Sequence, residues 1–395
     1  MERIIMHIDV NNAFLSWTAL ELLENGYKED IREIPSIIAG DPKKRTGIVL
    51  AKSNPAKKMG IKTAQTIYEA QKRCKNLKLF PPNYKMYEKR SNDLFKLILK
   101  YSPDIEKASI DECYLDYGKV KKLYGDEIEF AKKLQKEIFD TLGFTVNSGI
   151  ANNKLCAKMA SDFEKPFKIH TLFNNEKKEK MFPLPIEDLF TVGKSTSIKL
   201  RNIGIKTIGD LASKKSTDLK MFKNQAVHLI EIANGIDNSI VDSSSLIPKG
   251  ISNEITLSYN VTDIKKLEKV LAYLSEEVSR RVRKEQKYAS VICVILKDSN
   301  FRRYSHQKKL KNPVNSYNEI YKYAKEILSE FYSDEPIRLI GLRLDDLRKE
   351  TNYQTSLFDN EKQIERHDEK LDKVIDKINN KYGSSTIKRA SHIEK

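Results

Sequence analysis

The sequence lacks any long hydrophobic segment. None of its apolar runs approaches the roughly 18 residues that a membrane-spanning helix needs. Its first residues, MERIIMHIDV, are too short and too acidic for a secretory signal peptide. We therefore expect a cytoplasmic protein with no membrane partner.

Cysteine and histidine are also scarce. The 395 residues include four cysteines and six histidines. Cys74, Cys113, Cys156 and Cys293 are far apart, form no Cys-x-x-Cys pair and have no histidine at metal-ligand spacing. We expect them to be small, buried, apolar residues in a reducing compartment, and the scattered histidines argue against a zinc site.

Positive charge is abundant. The chain has 71 Lys and Arg residues against 55 Asp and Glu residues, which leaves a net charge of +16 at pH 7. An excess of this size suggests a polyanionic partner, of which nucleic acid is one and a membrane surface is the other. The 39% hydrophobic content and the length are sufficient for two to four domains with cores of their own.

Patterns of strands and helices alternate in the first part of the chain, which predicts an α/β core. Only helical patterns follow from Asn174 to Asn238, and a second small α/β domain comes after them. After Leu347 the chain becomes polar and charged, and we expect flexibility up to a late helix. The predicted strands are in RIIMHIDV, IPSIIAG, GIVLAKSN, KASI, CYLD, FTVNSGIA, SVICVILKD and IRLIGLRLDDL, and IPKGISNEITLSYN is predicted to be a linker that runs into a strand. The predicted helices are in NNAFLSWTALELLENG, PAKKMGIKTAQTIYEAQKRC with a break near Gly60, YKMYEKRSNDLFKLILKYS, DEIEFAKKLQKEIFDTLG, NNKLCAKMASDFEKP, KLEKVLAYLSEEVSRRVRKEQ and SYNEIYKYAKEILSEFY.

Three carboxylates stand at the ends of predicted strands. Asp9 ends the first strand, and Asp111 and Glu112 separate the arms KASI and CYLD. On a straight strand the adjacent pair would point to opposite faces, so the two can converge only if the chain bends between them. Three such carboxylates beside a backbone carbonyl suit two hard divalent ions. The alternative is a solvated turn with an accidental Asp-Glu pair.

The sequence around these carboxylates resembles the Y family of lesion-bypass DNA polymerases. ASIDECYLD is similar to that family's S-I-D-E motif, HIDVNNAFLSW resembles its N-terminal metal-binding strand, and GIANNKLCAKMASDFEKP resembles its third palm motif. The motifs share the family's order and separations, and the resemblance extends from residue 1 to about residue 350. Within that family, the sequence resembles the bacterial polymerases of the DNA polymerase IV type.

The resemblance implies a multidomain α/β (α+β) fold, a right-hand polymerase with an additional little finger domain. It implies a palm in residues 1–16 and 80–170, fingers in 17–79, a helical thumb in 171–240, a linker in 241–249, a little finger in 250–348 and a tail in 349–395.

The resemblance also implies the roles of the active-site residues. Asp9, Asp111 and Glu112, with the Val10 carbonyl, would hold two Mg²⁺ ions, with Mn²⁺ as a substitute. Phe14 falls at the family's steric gate, an aromatic ring that rejects a 2′-hydroxyl; the alternative is a core residue of the first helix.

Three further positions of the nucleotide site follow from the same comparison of motifs. Lys158 matches the family's triphosphate-binding lysine, whereas we expect Lys154, one turn earlier, to lie on a solvated helix face. In SNPAKKMG, Asn54 replaces the family's tyrosine and Lys57 its arginine. Lysine keeps the charge of arginine but loses its bidentate fork. In the first helix, Ala13 stands where the family often has a second aromatic residue, so the pocket floor could be roomier.

Two segments indicate contacts with DNA phosphates. LFTVGKSTSIKLRNIGIKTIGDLA resembles a helix-hairpin-helix, in which Gly193 and Lys194 would offer backbone N–H groups at a helix start. A glycine hairpin with no ligand is the alternative. Residues 246–350 have 21 Lys and Arg against 15 Asp and Glu, a net charge of 21 − 15 = +6, and Arg302 and Arg303 belong to one of two basic runs. Such runs are usually solvated faces, but the aromatic residues among them favour DNA backbone contact.

QTSLFDN, after the predicted folded domains, resembles the peptide with which bacterial polymerases dock on the sliding clamp. Gln354, Leu357 and Phe358 would enter a hydrophobic groove. The alternative is that Leu357 and Phe358 pack on the enzyme itself. In the late helix Ile364, Leu371, Ile375 and Ile378 recur near helical spacing, and the sequence leaves their partner open.

The leading interpretation is a monomeric, template-directed DNA polymerase that copies past damage at low fidelity, without a proofreading motif series. Its partners would be primer–template DNA, deoxynucleoside triphosphates and the sliding clamp. The alternative is a non-catalytic DNA-binding scaffold of the same fold, against which the three intact carboxylates argue. A nucleotidyl cyclase with a related palm is less favoured, because a cyclase has no need for a grip on duplex DNA.

Overall fold

A computed structural model describes residues 3–41, 45, 47–244, 248–349, 362–383 and 386–387, with side chains of the last helix from residue 370 onward. The chain divides into two compact units. The first comprises Met1–Gly40 and Gly47–Leu246, and the second Asp41–Thr46 and Ile247–Lys395. Within the described residues, no helix is both long and apolar enough to cross a membrane.

The first unit is built around a five-stranded mixed sheet with the strand order β5-β6-β1-β7-β8. The central strand β1 is antiparallel to both of its neighbours, and β7 is parallel to β8. All six residues of β1 are buried, as its apolar sequence predicts. The five strands are β1 (Ile5–Val10), β5 (Ile105–Lys107), β6 (Glu112–Asp116), β7 (Val146–Ala151) and β8 (Ile169–Leu172).

Four helices enclose this sheet, and their ends follow from local sequence signals. Asn153 begins the last of them with its side chain, which accepts a hydrogen bond from the Cys156 backbone N–H. Gly143 ends the third in the left-handed conformation, with φ of 77°, that glycine adopts without strain. The four are α1 (Ala13–Glu24), α4 (Tyr84–Leu99), α6 (Glu127–Leu142) and α7 (Lys154–Asp162), and a short helix, α5 (Lys121–Tyr124), precedes α6.

A smaller sheet of three strands, in the order β3-β2-β4, belongs to the same unit. The helical pattern predicted between β3 and β4 is interrupted more widely than expected, from Met59 to Thr66. Thr66 starts the second helix with a capping box, in which it exchanges hydrogen bonds with Glu69. The elements are β2 (Ser36–Ala39), β3 (Val49–Lys52), α2 (Asn54–Lys58), α3 (Ile67–Arg73) and β4 (Lys78–Phe80).

The rest of the first unit is helical, as predicted. The helix pair of the expected hairpin is joined through Gly204, which has φ of 85°. Leu200, Ile205, Ile208 and Leu211 of this pair are buried in one core with α7, whereas Ile198 and Ile203 are exposed. The helices are α8 (Lys177–Lys180), α9 (Lys194–Asn202), α10 (Ile208–Ala212) and α11 (Gln225–Ala233).

The second unit has a four-stranded antiparallel sheet in the order β11-β10-β12-β9. Two amphipathic helices bury their apolar stripes against one face of it, which includes Ile292, Val294 and Leu296 of the central strand β10. The elements are β9 (Gly250–Val261), α12 (Ile264–Lys284), β10 (Tyr288–Asp298), β11 (Arg303–Val314), α13 (Tyr317–Phe331), β12 (Ile337–Arg348) and the late helix α14 (Lys362–Tyr382).

One predicted strand is wrong, and three strands of the structure were not predicted. KASI is not a strand, because β5 ends at Lys107 and residues 108–111 form the turn into β6. The segment from Arg303 to Val314 is a strand that the sequence analysis treated only as a basic run, and β4 and β8 were missed as well. The four cysteines are buried thiols, as expected. The division into palm, fingers, thumb, linker, little finger and tail remains a prediction.

Candidate active site

Two of the three predicted carboxylates lie opposite each other on adjacent strands. The register of β1 and β6 pairs Asp9 with Glu112. Asp9 is buried, with 4% of its surface exposed, whereas the Glu112 side chain is one quarter exposed. The pairing places both acids where β1 ends and β6 begins, beside the turn of residues 108–111.

The third carboxylate, Asp111, lies in that turn rather than on a strand. Its Oδ1 accepts a hydrogen bond from Ser109 Oγ at 2.5 Å, and its backbone carbonyl accepts one from the Val10 N–H at 3.1 Å. Asp111 and Val10 line a cavity of about 210 Å³ together with Phe14 and Lys52. The bend that the sequence analysis required therefore exists, and it points Asp111 to a cavity adjacent to the facing pair.

The facing pair is neutralised by two lysines. Lys158 Nζ lies 2.9 Å from Glu112 Oε1 and 3.7 Å from Asp9 Oδ2, and its side chain is only 11% exposed. Lys165 Nζ forms an ion pair with Asp9 and lies 2.8 Å from Asp162. An unpaired carboxylate would be costly to bury, so these ammonium groups stabilise the acids in the fold.

Close packing of α7 on β7 brings Lys158 to this position. A Cβ atom at Gly149 would come within 2.0 Å of the Ala157 carbonyl oxygen and 2.4 Å of the Ser161 backbone nitrogen. Only glycine permits this approach of helix to strand. Lys158 is consequently held next to the strand ends.

The two facing acids differ in their electrostatics. The His7 side chain, with Nε2 3.5 Å from Glu112 Oε2, lowers the pKa of Glu112 to about 2, and Lys158 acts in the same direction. Burial raises the pKa of Asp9, although Lys165 and Lys158 oppose it. Burial alone would lower the pKa of Lys158, but the neighbouring carboxylates outweigh it and the pKa is raised.

The donor chemistry fits hard divalent cations. Three carboxylates and a backbone carbonyl are the oxygen ligands that Mg²⁺ accepts. Among the described residues no three His, Cys, Asp or Glu side chains are gathered as a ready metal site. Instead the ammonium group of Lys158 lies between Asp9 and Glu112, and so provides positive charge at the place where a metal ion would provide it.

Phe14 lies at the side of the small cavity, on α1. Its ring stacks on Tyr87 with centroids 4.5 Å apart and planes 8° from parallel, and Tyr84 contacts it edge-on at 6.2 Å. The ring is partly buried and fixed from behind while lining the cavity that contains Asp111. This placement is compatible with both predicted roles of Phe14, as a rigid steric gate and as a packing residue of α1. Ala13 lines the same cavity.

The predicted residues of the fingers lie on α2 and are exposed. Asn54 begins that helix and Lys57 lies in its last turn. Lys52, which no sequence motif indicated, lines the cavity with Phe14 and Asp111. Its Nζ donates a hydrogen bond to Thr63 Oγ1 at 3.0 Å, and burial together with nearby Lys57 lowers the pKa of Lys52.

The expectation of a solvated Lys154 is wrong. Its Nζ lies 2.7 Å from Glu106 Oε1, and both side chains are about 15% exposed. The ammonium group also lies 5.1 Å from the centre of the Tyr114 ring. Glu106 is 48 residues away in sequence, so helix periodicity could not indicate this partner.

Two other residues near the acids were missed. His7 lies two residues before Asp9 on β1, hence on the same face, and its Nδ1 contacts Ser161 Oγ at 2.8 Å. Lys165 precedes Pro166 after α7. The alternation of side chains along β1 could have indicated His7, whereas no local pattern indicates Lys165.

The expected DNA-contact residues lie on separate elements. Gly193 directly precedes α9, which begins at Lys194 without a side-chain cap, and a Cβ at Gly193 would meet nothing within 4 Å. The first N–H groups of α9 are therefore open to approach.

Arg302 and Arg303 lie in the second unit, where Arg303 Nη1 is 3.0 Å from Glu254 Oε2. Gln354, Leu357 and Phe358 lie outside the described residues.

Comparison with known proteins identifies the family. Residues 8–162 match the profile of the impB/mucB/samB family, and residues 248–357 match the profile of its C-terminal domain. The chain is 48% identical to DNA polymerase IV of Clostridium acetobutylicum over 397 aligned residues, which covers 100% of this chain and 99% of that protein. The chain belongs to the Y family of DNA polymerases. It is a DNA-directed DNA polymerase of the DNA polymerase IV type.

Other relatives agree with this assignment. DNA polymerase IV of Clostridium kluyveri is 34% identical over 100% of this chain and 99% of its own length. Among solved structures, a chimeric Y-family polymerase made from Dbh and Dpo4 matches with a TM-score of 0.76, at 27% identity, over 87% of this chain and 99% of the chimera. An insertion ternary complex of Dbh DNA polymerase matches with a TM-score of 0.61, at 28% identity, over 87% and 98%. The predicted α/β multidomain Y-family fold is thus confirmed.

Proposed function

We propose that this Y-family polymerase adds deoxynucleotides to a primer 3′ end by two-metal-ion nucleotidyl transfer, and that it copies past damaged template bases. The observation that supports the proposal is the pairing of Asp9 with Glu112 beside a cavity lined by Asp111 and Phe14. A scaffold that only binds DNA has no need for three carboxylates gathered where β1 ends and β6 begins, with one of them lining a cavity.

Asp9, Asp111, Glu112 and the Val10 carbonyl would hold the ions, with Mg²⁺ as the expected metal and Mn²⁺ as a substitute. When bound, such ions activate the primer 3′-hydroxyl and neutralise charge on the leaving pyrophosphate. The remaining groups bind and orient the nucleotide. Lys158 and Lys52 offer ammonium groups to the triphosphate, Lys57 adds charge from α2, and the Phe14 ring excludes a 2′-hydroxyl.

The DNA partner would be held by groups that do not read sequence. The open N–H groups after Gly193 and the basic strand that starts at Arg303 both suit phosphate oxygens. Low fidelity and the absence of proofreading are proposed from family membership and from the lack of an exonuclease motif series. Docking of the segment from Gln354 to Phe358 on a sliding clamp belongs to the same proposal.

Primer extension with purified protein tests this function. Undamaged templates and templates with a single abasic site are compared with Mg²⁺, with Mn²⁺ and with a chelator. We expect extension on both templates that stops when the metal is chelated. A protein that binds primer–template tightly yet extends neither template with either metal would support the scaffold alternative instead.

A further inference from the structure

The late helix α14 is fixed to the second unit by a buried ionic contact. Arg283 of α12 lies with its Nη1 3.1 Å from Asp372 Oδ2 and its Nε 2.7 Å from Asp376 Oδ2. The Arg283 and Asp372 side chains are 7% and 3% exposed. Asp372 also accepts a hydrogen bond from the Tyr317 backbone N–H at the start of α13. Because these groups are buried and paired with each other, they specify where α14 lies.

Beside this contact, α12 and α14 enclose a cavity of about 1040 Å³ that is strongly basic. Eight of its thirteen lining residues are Lys or Arg, and only Asp376 is acidic. Asp376 is already bound to Arg283. The cations converge from three elements: the end of α12, the residue after β12, and one face of α14, where Lys373, Lys377 and Lys381 recur every four residues.

Several of these cations have no counter-charge. Lys284, Lys349 and Lys377 are exposed, and in the part of the chain that the structure describes none of them has an ion-pair partner. Like charges that meet in a concavity repel each other and raise the local positive potential. A ligand with several negative charges would relieve this repulsion.

The cavity lies on the other side of the sheet from the basic strand surface that includes Arg303. The helices α12 and α13 cover the sheet face of Ile292, Val294 and Leu296. Arg303 pairs with Lys297, which alternates to the opposite face. The cavity is at the C-terminal end of α12, on the helical side.

We propose that this cavity binds the phosphates of a single-stranded DNA segment, a proposal that rests on the proposed polymerase function. Tyr288, Gln286 and Asn380 lie among the cations and offer an aromatic ring and amide groups to bases. Cations beside an aromatic ring and polar donors are the features of sequence-independent single-strand sites. A single strand can turn its bases towards these groups, whereas a duplex keeps its bases paired inside the helix.

The test is neutralisation of two unpaired lysines in the full chain, Lys284→Gln with Lys377→Gln. Binding of a fluorescein-labelled oligothymidylate is measured by anisotropy over a salt series. We expect affinity at low salt to fall about tenfold and the salt slope to flatten by about one unit, because two phosphate contacts are lost. Lys265→Gln with Lys269→Gln, exposed on the same helix but outside the cavity, should leave both quantities unchanged.

Two further measurements separate folding and polymerase function from the site itself. Lys284→Arg with Lys377→Arg should keep wild-type affinity, since the charge is retained. Primer extension on a template with a very short overhang should proceed at the wild-type rate in the glutamine variant. If the wild type itself fails to extend primers, the proposed function fails, while oligothymidylate binding still decides whether the cavity is a single-strand site.

Three results would overturn the proposal. One is unchanged oligothymidylate affinity in the glutamine variant. Another is an equal loss of affinity for a blunt duplex, which would make the cavity part of a duplex surface. The third is tighter binding of a polyglutamate peptide than of oligothymidylate, together with loss of peptide binding in the glutamine variant. That result would make the cavity a site for acidic protein segments.

Discussion

The ammonium group of Lys158 lies 2.9 Å from Glu112 Oε1, in a position where only 11% of the lysine side chain is exposed. The same group is 3.7 Å from Asp9 Oδ2. Asp9 and Glu112, two of the proposed metal ligands, are therefore bridged by a cation of the protein itself, which neutralises them and allows the strand ends to fold without a metal ion. A triphosphate would compete with these acids for the same ammonium group.

Replacement of Asp111 by asparagine should abolish primer extension while DNA binding persists. The amide keeps the shape of the side chain but removes the negative charge that a divalent ion needs. We expect a fall in extension rate of about a thousandfold or more, with primer–template affinity within about twofold of wild type. Asp116→Asn, at the far end of β6, is the control and should extend normally. Wild-type rates for Asp111→Asn would remove this residue from the metal site.

Replacement of Phe14 by alanine should admit ribonucleotides. The ring is stacked on Tyr87 and lines the cavity next to Asp111, so its removal opens space for a 2′-hydroxyl. Discrimination in single-turnover insertion should fall by about tenfold to a hundredfold. Tyr84→Ala removes a neighbouring ring that contacts Phe14 edge-on but does not line the cavity, and it should leave discrimination intact. Unchanged selectivity in Phe14→Ala would reduce Phe14 to a packing residue.

Lys52 should contribute to nucleotide affinity. Its ammonium group lines the cavity with Phe14 and Asp111, whereas the family's arginine is replaced by the exposed Lys57. Lys52→Met should raise the KM for a deoxynucleotide by about tenfold, in keeping with one lost charge-assisted hydrogen bond. Lys58→Met, on the adjacent helix and outside this cavity, is the matched control. Equal KM values for the two variants would argue against a role of Lys52 in nucleotide binding.

The elements that the sequence predicted well have a strong local pattern. The strand β1 is a short continuous apolar run, and α4 has apolar residues at helical spacing, with Tyr87, Leu94, Leu97 and Ile98 buried. The strand β11 was missed because it is an edge strand. Half of its residues are exposed, and all of these are polar or charged, which protects an edge but hides the alternation of a half-buried strand.

The candidate site shows the same limit. Asp9, Asp111 and Glu112 could be predicted because short motifs contain them. The ion-pair partners of these acids could not be predicted, because the partners are far apart in sequence. Lys165 and Asp9 are separated by 156 residues, and Lys158 and Glu112 by 46. Such contacts arise from the packing of α7 against β7, which no local pattern encodes.

Neutralising Arg302 and Arg303 should weaken DNA binding on every sequence. Each phosphate that a cation of the protein neutralises releases counterions from the DNA, so loss of two cations should flatten the dependence of affinity on salt concentration by up to about two units. Because Arg303 already pairs with Glu254, its share should be the smaller of the two. Lys322→Gln with Lys325→Gln on α13 is the control, and an unchanged slope in the arginine variant would exclude Arg302 and Arg303 from the interface.

Leu357→Ala with Phe358→Ala should separate clamp-dependent from intrinsic synthesis. The segment QTSLFDN offers one amide and two adjacent apolar side chains, which suit a hydrophobic groove on a clamp. Tethering raises the local concentration of primer ends without a change in the active site. The double variant should therefore retain distributive extension on bare primer–template and lose stimulation by a loaded clamp. Thr355→Ala, within the same segment but outside the three matched positions, should keep that stimulation. If the double variant binds purified clamp as tightly as wild type, Leu357 and Phe358 are not the docking residues.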